Sequence, residues 1–370
     1  MSLTPASLEH LVARLVCIGF DGLEVPRETQ DLLASGVGGL VLFGRNIETP
    51  AQVAELTTKL KRMARAPLMM CVDQEGGRVR RLRTGFSPVP SMRELGKTRS
   101  PELARSIGAL IGRELRAVGF DVDFAPVLDV DSNPLNPVIA DRSLGNDPQM
   151  VAQLGVEVIR GLQSQGVAAC GKHFPGHGDT SLDSHHRLPV LDHGWDRLSD
   201  VELVPFAAAV NAGSAAMMTS HIVFPRFDPI HPATLSPLVL DHFLRDRLGF
   251  DGVVFTDDME MKAIADHFGF DDSIVRAIDA GADVITICHS AELQRRAIDV
   301  LARAVATRRL SIERIQQSVR RIDTLCSRYV RGPQPTNLGP LDSPEHRAIL
   351  GKVAKAATQP QLDPTTAWQP

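Results

Sequence analysis

Eight short apolar runs, each followed by a segment with helical periodicity, constrain this chain more than any other feature. The runs occupy residues 15–18, 39–43, 68–72, 122–125, 167–170, 215–219, 252–255 and 283–287. Several are apolar without alternation, which suits parallel strands covered on both faces. Helical patterns fill the intervals. One spans 50–65, with Thr49 as N-cap and Pro50 in the first helical position. Others span 101–118 and 148–165, capped by Ser100 and Asp147 and closed by Gly119 and Gly166. Further patterns cover 198–212, 237–248, 271–280, 291–307 and 312–329. Strands alternating with helices in this way predict an α/β fold, a single (β/α)8 barrel of TIM type; a doubly wound open sheet is the competing arrangement. The barrel is expected over residues 1–331. The remaining segment, 332–370, is a short Pro-rich C-terminal extension with one helical stretch at 345–357, expected to be a strap or partly disordered tail.

Composition narrows the function. A formal net charge of −4 argues against nucleic-acid binding. The local basic run 78–83 reads as a solvated face. No stretch approaches a membrane span, and the N-terminus lacks the basic and apolar regions of a secretory signal. Five scattered cysteines (17, 71, 170, 288 and 326) without a CxxC pair suit a reducing compartment. These features together predict a cytoplasmic protein, with a monomer as the default oligomeric state.

In a barrel of this type the chemistry lies at the C-terminal ends of the strands. There the chain carries Asp73-Gln74-Glu75-Gly76-Gly77-Arg78, Asp129 with Asp131, Lys172-His173, Ser220-His221, Asp257-Asp258 and His289. The densest stretch is 171–186, which holds four of the chain's twelve histidines. Asp257, directly at a strand end, is a candidate nucleophile or charge stabiliser. Within 171–186, Asp183 stands two residues from His185, close enough to orient the ring for proton transfer in both directions. A general acid with a separate nucleophile fits two-step glycoside hydrolysis. Asp73, Arg81, Arg142, Lys172 and His173 supply the donors and acceptors that sugar hydroxyls require, although Arg81 and Arg142 could equally form structural ion pairs.

Three motifs carry a family resemblance: Lys172-His173-Phe174-Pro175-Gly176-His177-Gly178 with Asp183-Ser184-His185, Asp73 to Val79, and Phe255-Thr256-Asp257-Asp258-Met259. Together with Met218 to Pro225 and Pro232 to Ser236, they make residues 15–331 resemble glycoside hydrolase family 3, in particular the bacterial β-N-acetylglucosaminidases of cell-wall recycling. The resemblance implies Asp257 as nucleophile and His185 as acid/base with Asp183 as its partner. It also implies that Asp73, Arg81, Arg142, Lys172 and His173 grip an N-acetylglucosamine ring. The implied reaction removes non-reducing terminal N-acetylglucosamine with retention from muropeptide fragments bearing a 1,6-anhydro-N-acetylmuramic acid aglycone. No metal or organic cofactor is implied. Relatives often carry a second α/β domain beginning near Pro344-Glu345-His346-Arg347, so this chain resembles the single-domain branch. Other readings are a metal-dependent barrel hydrolase using His173, His177 and His185, a sugar-binding protein without catalysis, and a phosphorylase in which phosphate accepts the sugar.

Overall fold

A computed structural model of the chain describes residues 4–181, 188–333 and 337–358. Eight parallel strands close into a barrel in sequence order: β1 Val16–Ile18, β2 Gly39–Leu42, β3 Met69–Val72, β4 Val122–Asp123, β5 Ala168–Phe174, β6 Ala216–Thr219, β7 Val253–Asp258 and β8 Val284–Ile287. Closure is made by β1, which pairs Val16 with Ile285 on one side and Cys17 with Gly39 on the other. The open-sheet alternative is thereby excluded. Short βα spacing allows each strand to neighbour the next, and right-handed crossovers do the rest.

The outer helices are α1 Pro5–Ala13, α2 Arg27–Ser35, α3 Pro50–Met63, α4 Met92–Lys97, α5 Pro101–Ala117, α6 Pro148–Ser164, α7 Leu203–Asn211, α8 Leu238–Arg247, α9 Phe270–Ala280, α10 Ala291–Ala306, α11 Ile312–Tyr329 and α12 Pro344–Ala357. The expected N-caps are present: Thr49, Ser100 and Asp147 each accept a backbone N–H from the first turn. Helix α8 and the turn Leu198–Glu202 before α7 are wound as π-helix. Helices α1, α2 and α4 carry no long period and were not foreseen. All five cysteines are free and buried.

Two strands run further than their apolar content suggests. β5 continues through Lys172 and His173, and β7 continues through Thr256, Asp257 and Asp258. Each has one extra residue against its neighbour. Gly171 pairs Met217 while Phe174 pairs Thr219, and Phe255 pairs Val284 while Asp258 pairs Thr286. Such bulges re-aim side chains next to functional sites. Here they fall on the polar residues that end the two strands. Below them the barrel is filled by apolar side chains, including Phe124 and Phe255 in edge contact at 5.3 Å between centroids. Each such buried ring contributes roughly 1.5–3 kcal/mol relative to exposure.

Candidate active site

The C-terminal ends of the strands surround a cavity of about 310 Å³. Its wall includes Asp73, Arg81, Arg142, Lys172, His173 and Asp257, six of the eight residues singled out from sequence. The other two, Asp183 and His185, lie outside the described residues. Of the remaining rim candidates, Asp258 and His289 line the cavity, whereas Asp129, Asp131, Ser220 and His221 do not. Asp131 instead pairs with Arg93. A second cavity, about 260 Å³, lies between α3, α5 and residues 331–333, 337 and 340. There Lys61 Nζ is taken up by Asp121 and the Arg331 carbonyl, so its lysine is committed to the fold.

Glycine makes the first part of the wall. After β3 the chain turns back in a hairpin of Gln74–Gly76 against Val79–Arg80. Gly76 and Gly77 have φ of +106° and +54° there, and a Cβ on Gly76 would lie 2.4 Å from the Pro90 carbonyl oxygen. Only glycine fits such a turn without strain. The hairpin sets Glu75 between two cations. Arg142 holds it bidentately at 2.7 and 2.8 Å, and Lys172 Nζ reaches its Oε1 at 2.7 Å. Lys172 also reaches Asp73 Oδ1 at 2.7 Å, and Arg81 reaches Asp73 Oδ2 at 3.3 Å. Arg142 and Arg81 are thus ion-paired and part of the cavity wall at once.

Burial alone would neutralise these groups, but their neighbours outweigh it. Burial pushes the Glu75 carboxyl up, yet Arg142 and Lys172 hold it far below the usual carboxylate range. Asp73 is lowered in the same sense, burial being overcome by Lys172 and Arg81. Burial favours the neutral amine at Lys172, and Asp73 with Glu75 reverse that, raising it above the ordinary lysine value. The result is a fixed array of charges around neutral pH.

Behind this array Asp129, fully buried, organises the histidine segment. Its carboxylate accepts from His173 Nδ1 at 2.7 Å, from the His173 backbone N–H at 3.1 Å and from the His177 backbone N–H at 2.7 Å. With Nδ1 donating, His173 presents Nε2 as an acceptor toward Arg142, whose Nη2 lies 3.5 Å away. His177 also lines the cavity. Burial, with His173 nearby, lowers it to about 4, so it is neutral at physiological pH. The segment is tied down by Asn136, which donates to the His177 and Gly178 carbonyls at 2.8 and 3.0 Å and to Thr180 Oγ1 at 3.2 Å.

At the end of β7, Asp257 Oδ1 accepts the Asp258 backbone N–H at 2.8 Å. Asp258 is different. Burial, reinforced by Glu260 and Asp257, pushes its carboxyl up to about 7, although the Glu260 N–H opposes this. Its carbonyl accepts from His221 Nε2 at 3.0 Å, which fixes the strand end from the barrel side. His289, at the mouth, stacks on Phe43 at 6.0 Å between centroids.

Glu75 and Asp129 stand at the strand ends without an assigned role in the sequence, and His177 enters there only as a metal-ligand candidate. For Glu75 and His177 the available signal is their position two and four residues from Asp73 and His173; Asp129 has no assigned residue near it in the chain. Of the three histidines in the metal-dependent reading, His173 and His177 line the cavity, and His185 lies outside the described residues. His173 Nδ1 is committed to Asp129, and His177 Nδ1 lies 2.8 Å from Thr180 Oγ1. Among the described residues no group of three or more His, Cys, Asp or Glu side chains could hold a metal ion.

Residues 7–325 match the family described as glycosyl hydrolase family 3 N terminal domain. A β-hexosaminidase from Thiobacillus denitrificans is 45% identical over 273 residues, covering 72% of this chain and 75% of that one. A β-hexosaminidase from Nitrosomonas eutropha is 38% identical over 309 residues, covering 80% and 88%. Among solved structures, a glycoside hydrolase family 3 β-N-acetylglucosaminidase from Paenibacillus sp. str. FPU-7 superposes with a TM-score of 0.92 at 43% identity, over 96% of this chain and 69% of that one. NagZ from Neisseria gonorrhoeae, in complex with N-trifluoroacetyl-D-glucosamine, superposes with a TM-score of 0.79 at 31% identity, over 93% and 98%.

Proposed function

The chain belongs to glycoside hydrolase family 3 and is a hydrolase of the β-N-acetylhexosaminidase type; from that premise we propose that it removes non-reducing terminal N-acetylglucosamine from muropeptide fragments, with retention, through a covalent sugar–Asp257 intermediate. The observation that carries this reading is the meeting of Asp257, at the end of β7, with the Asp73–Lys172–Glu75–Arg142 array in one cavity. In the first step a carboxylate oxygen of Asp257 bonds to the anomeric carbon as the bond to the leaving oxygen breaks. His185, oriented by Asp183, gives that oxygen a proton. In the second step the same imidazole takes a proton from water. The resulting hydroxide equivalent displaces Asp257, so the sugar leaves with its original anomeric configuration.

Asp73, Arg81, Arg142, Lys172 and His173 hold the ring. Lys172 directs N–H groups to Asp73 and Glu75, and its remaining donor suits a sugar hydroxyl. His173 Nε2 supplies an acceptor. The preferred aglycone is 1,6-anhydro-N-acetylmuramic acid with or without peptide, and the protein acts as a cytoplasmic monomer on this small carbohydrate. Among the described residues no helix is long and apolar enough to cross a membrane.

The test is incubation with a 2-fluoro sugar mimic followed by peptide mapping. A label on the peptide containing Asp257 is expected, and a label on any other carboxylate refutes the assignment. Release of free N-acetylglucosamine, rather than its 1-phosphate in phosphate buffer, identifies water as the acceptor.

A further inference from the structure

The C-terminal helix α12 ends up far from the strand ends in sequence, yet it contacts a buried cluster that backs the cavity wall. Helix α12 packs on α4 and α5. Its His346 is fully buried, and the ring's Nδ1 donates to Glu114 Oε1 on α5 at 3.0 Å. The same carboxylate accepts the Asp342 backbone N–H at 2.9 Å, the Ser87 hydroxyl at 2.6 Å and the Ser87 backbone N–H at 3.1 Å. Ser87 in turn belongs to the segment 87–91 on which the cavity hairpin rests. Its carbonyl accepts from Arg80 at 3.4 Å, the Val89 carbonyl accepts the Gly77 N–H at 3.1 Å, and the Pro90 carbonyl fills the space where a Cβ on Gly76 would go. That hairpin carries Glu75, and Asp73 and Arg81 flank it.

These contacts form one continuous path, from His346 through Glu114 and Ser87 to the hairpin. Ser87, His346 and Glu114 share the residue types of an acyl-transfer triad, but the geometry rules that use out. Hydroxyl and imidazole both donate to the same Glu114 oxygen, and all three side chains are buried.

We propose that α12 is a clamp on the cavity wall and that His346 is its positioning residue, acting through Glu114 and Ser87 on the hairpin that holds Glu75 between Arg142 and Lys172. A buried carboxylate deprived of donors must rearrange or draw in water, and Ser87, bonded to it through both its hydroxyl and its backbone N–H, shifts with it. The Nδ1 also lies 3.4 Å from Ser87 Oγ, while Nε2 is buried without a partner. The role therefore rests on one donor at Nδ1. An asparagine amide can place an N–H close to that position, and a leucine of similar size cannot.

The functional readout rests on the reading of residues 73–81 as sugar-holding, so two measurements are paired on the full chain. The first is deuterium exchange of peptides covering residues 74–89. The second is kcat and KM on an aryl N-acetyl-β-glucosaminide. His346→Leu is expected to speed exchange over 74–89 and to raise KM about tenfold with a smaller change in kcat. His346→Asn is expected to stay near the parent in both. A folded His346→Leu protein with unchanged exchange and KM overturns the clamp, as does equal damage from His346→Asn. Should His346→Leu not fold, Ser87→Ala takes its place, with the same expected shift, and unchanged exchange and KM in that variant overturn the clamp. If the parent itself cleaves no N-acetylglucosaminide, the proposed function fails, while the exchange measurement still decides the clamp.

Discussion

Replacing Glu75 with glutamine keeps the side-chain shape and removes one charge from the centre of the cavity wall. The carboxylate is about 1% exposed and accepts three charge-assisted hydrogen bonds, two from Arg142 and one from Lys172. A glutamine oxygen keeps at most part of the Arg142 fork, and its NH2 group faces cations that have only hydrogens to offer. Lys172 then keeps only Asp73 as an ion-pair partner, and Arg142 is left with the weaker pull of Asp129 and Asp73. Breaking a buried ion pair by removing one partner costs about 3–5 kcal/mol; the retained shape and one surviving bond place Glu75→Gln near the lower end. The assay is urea unfolding as a function of pH. Glu75 has a folded pKa depressed below its unfolded value, so its contribution is fully present above the unfolded value near 4.3 and is lost as pH falls through the folded one. The destabilisation should therefore be full at pH 7 and shrink below about pH 4. A variant within about 0.5 kcal/mol of the parent at pH 7, or a difference that does not change on acidification, refutes the electrostatic account of this array.

Three further outcomes are expected. Asp257→Ala should lose at least about a thousandfold in kcat while its unfolding midpoint stays within the range of a surface substitution, and full activity removes the nucleophile from the mechanism. His185→Ala should slow natural substrates more than aryl glycosides with good leaving groups, which need less protonation; equal losses on both assign that imidazole to binding. Asn136→Ala unties the His177–Thr180 segment and strips the Val138 and Ile139 backbone N–H groups of their shared side-chain acceptor, so it should cost about 1–3 kcal/mol in urea unfolding and lower kcat/KM. Unaltered kcat/KM there would show that the segment's anchoring does not matter to turnover.

Much of the scaffold could be read directly because its signals are local. The eight apolar runs, the caps Thr49, Ser100 and Asp147, and the glycines after helices each act within a few residues of where they stand, and they set the alternation that closes the barrel. The short helices α1, α2 and α4 escaped because they are too brief to show a period.

The site divides differently. Its motif residues were visible in the chain as polar groups after strands, but their partners were not. Glu75 meets Arg142 across 67 residues, Lys172 meets Asp73 across 99, and Glu114 meets His346 across 232. No local pattern encodes such pairs, because they exist only after the barrel has closed. The same holds for the extra residues in β5 and β7, which turn Lys172, His173 and Asp257 toward the cavity. Sequence thus determined which residue types stand at the strand ends and the order in which they come around the barrel. Tertiary structure alone decided which charges neutralise one another, because burial makes a lone charge costly and only a neighbour brought from elsewhere in the chain can offset it.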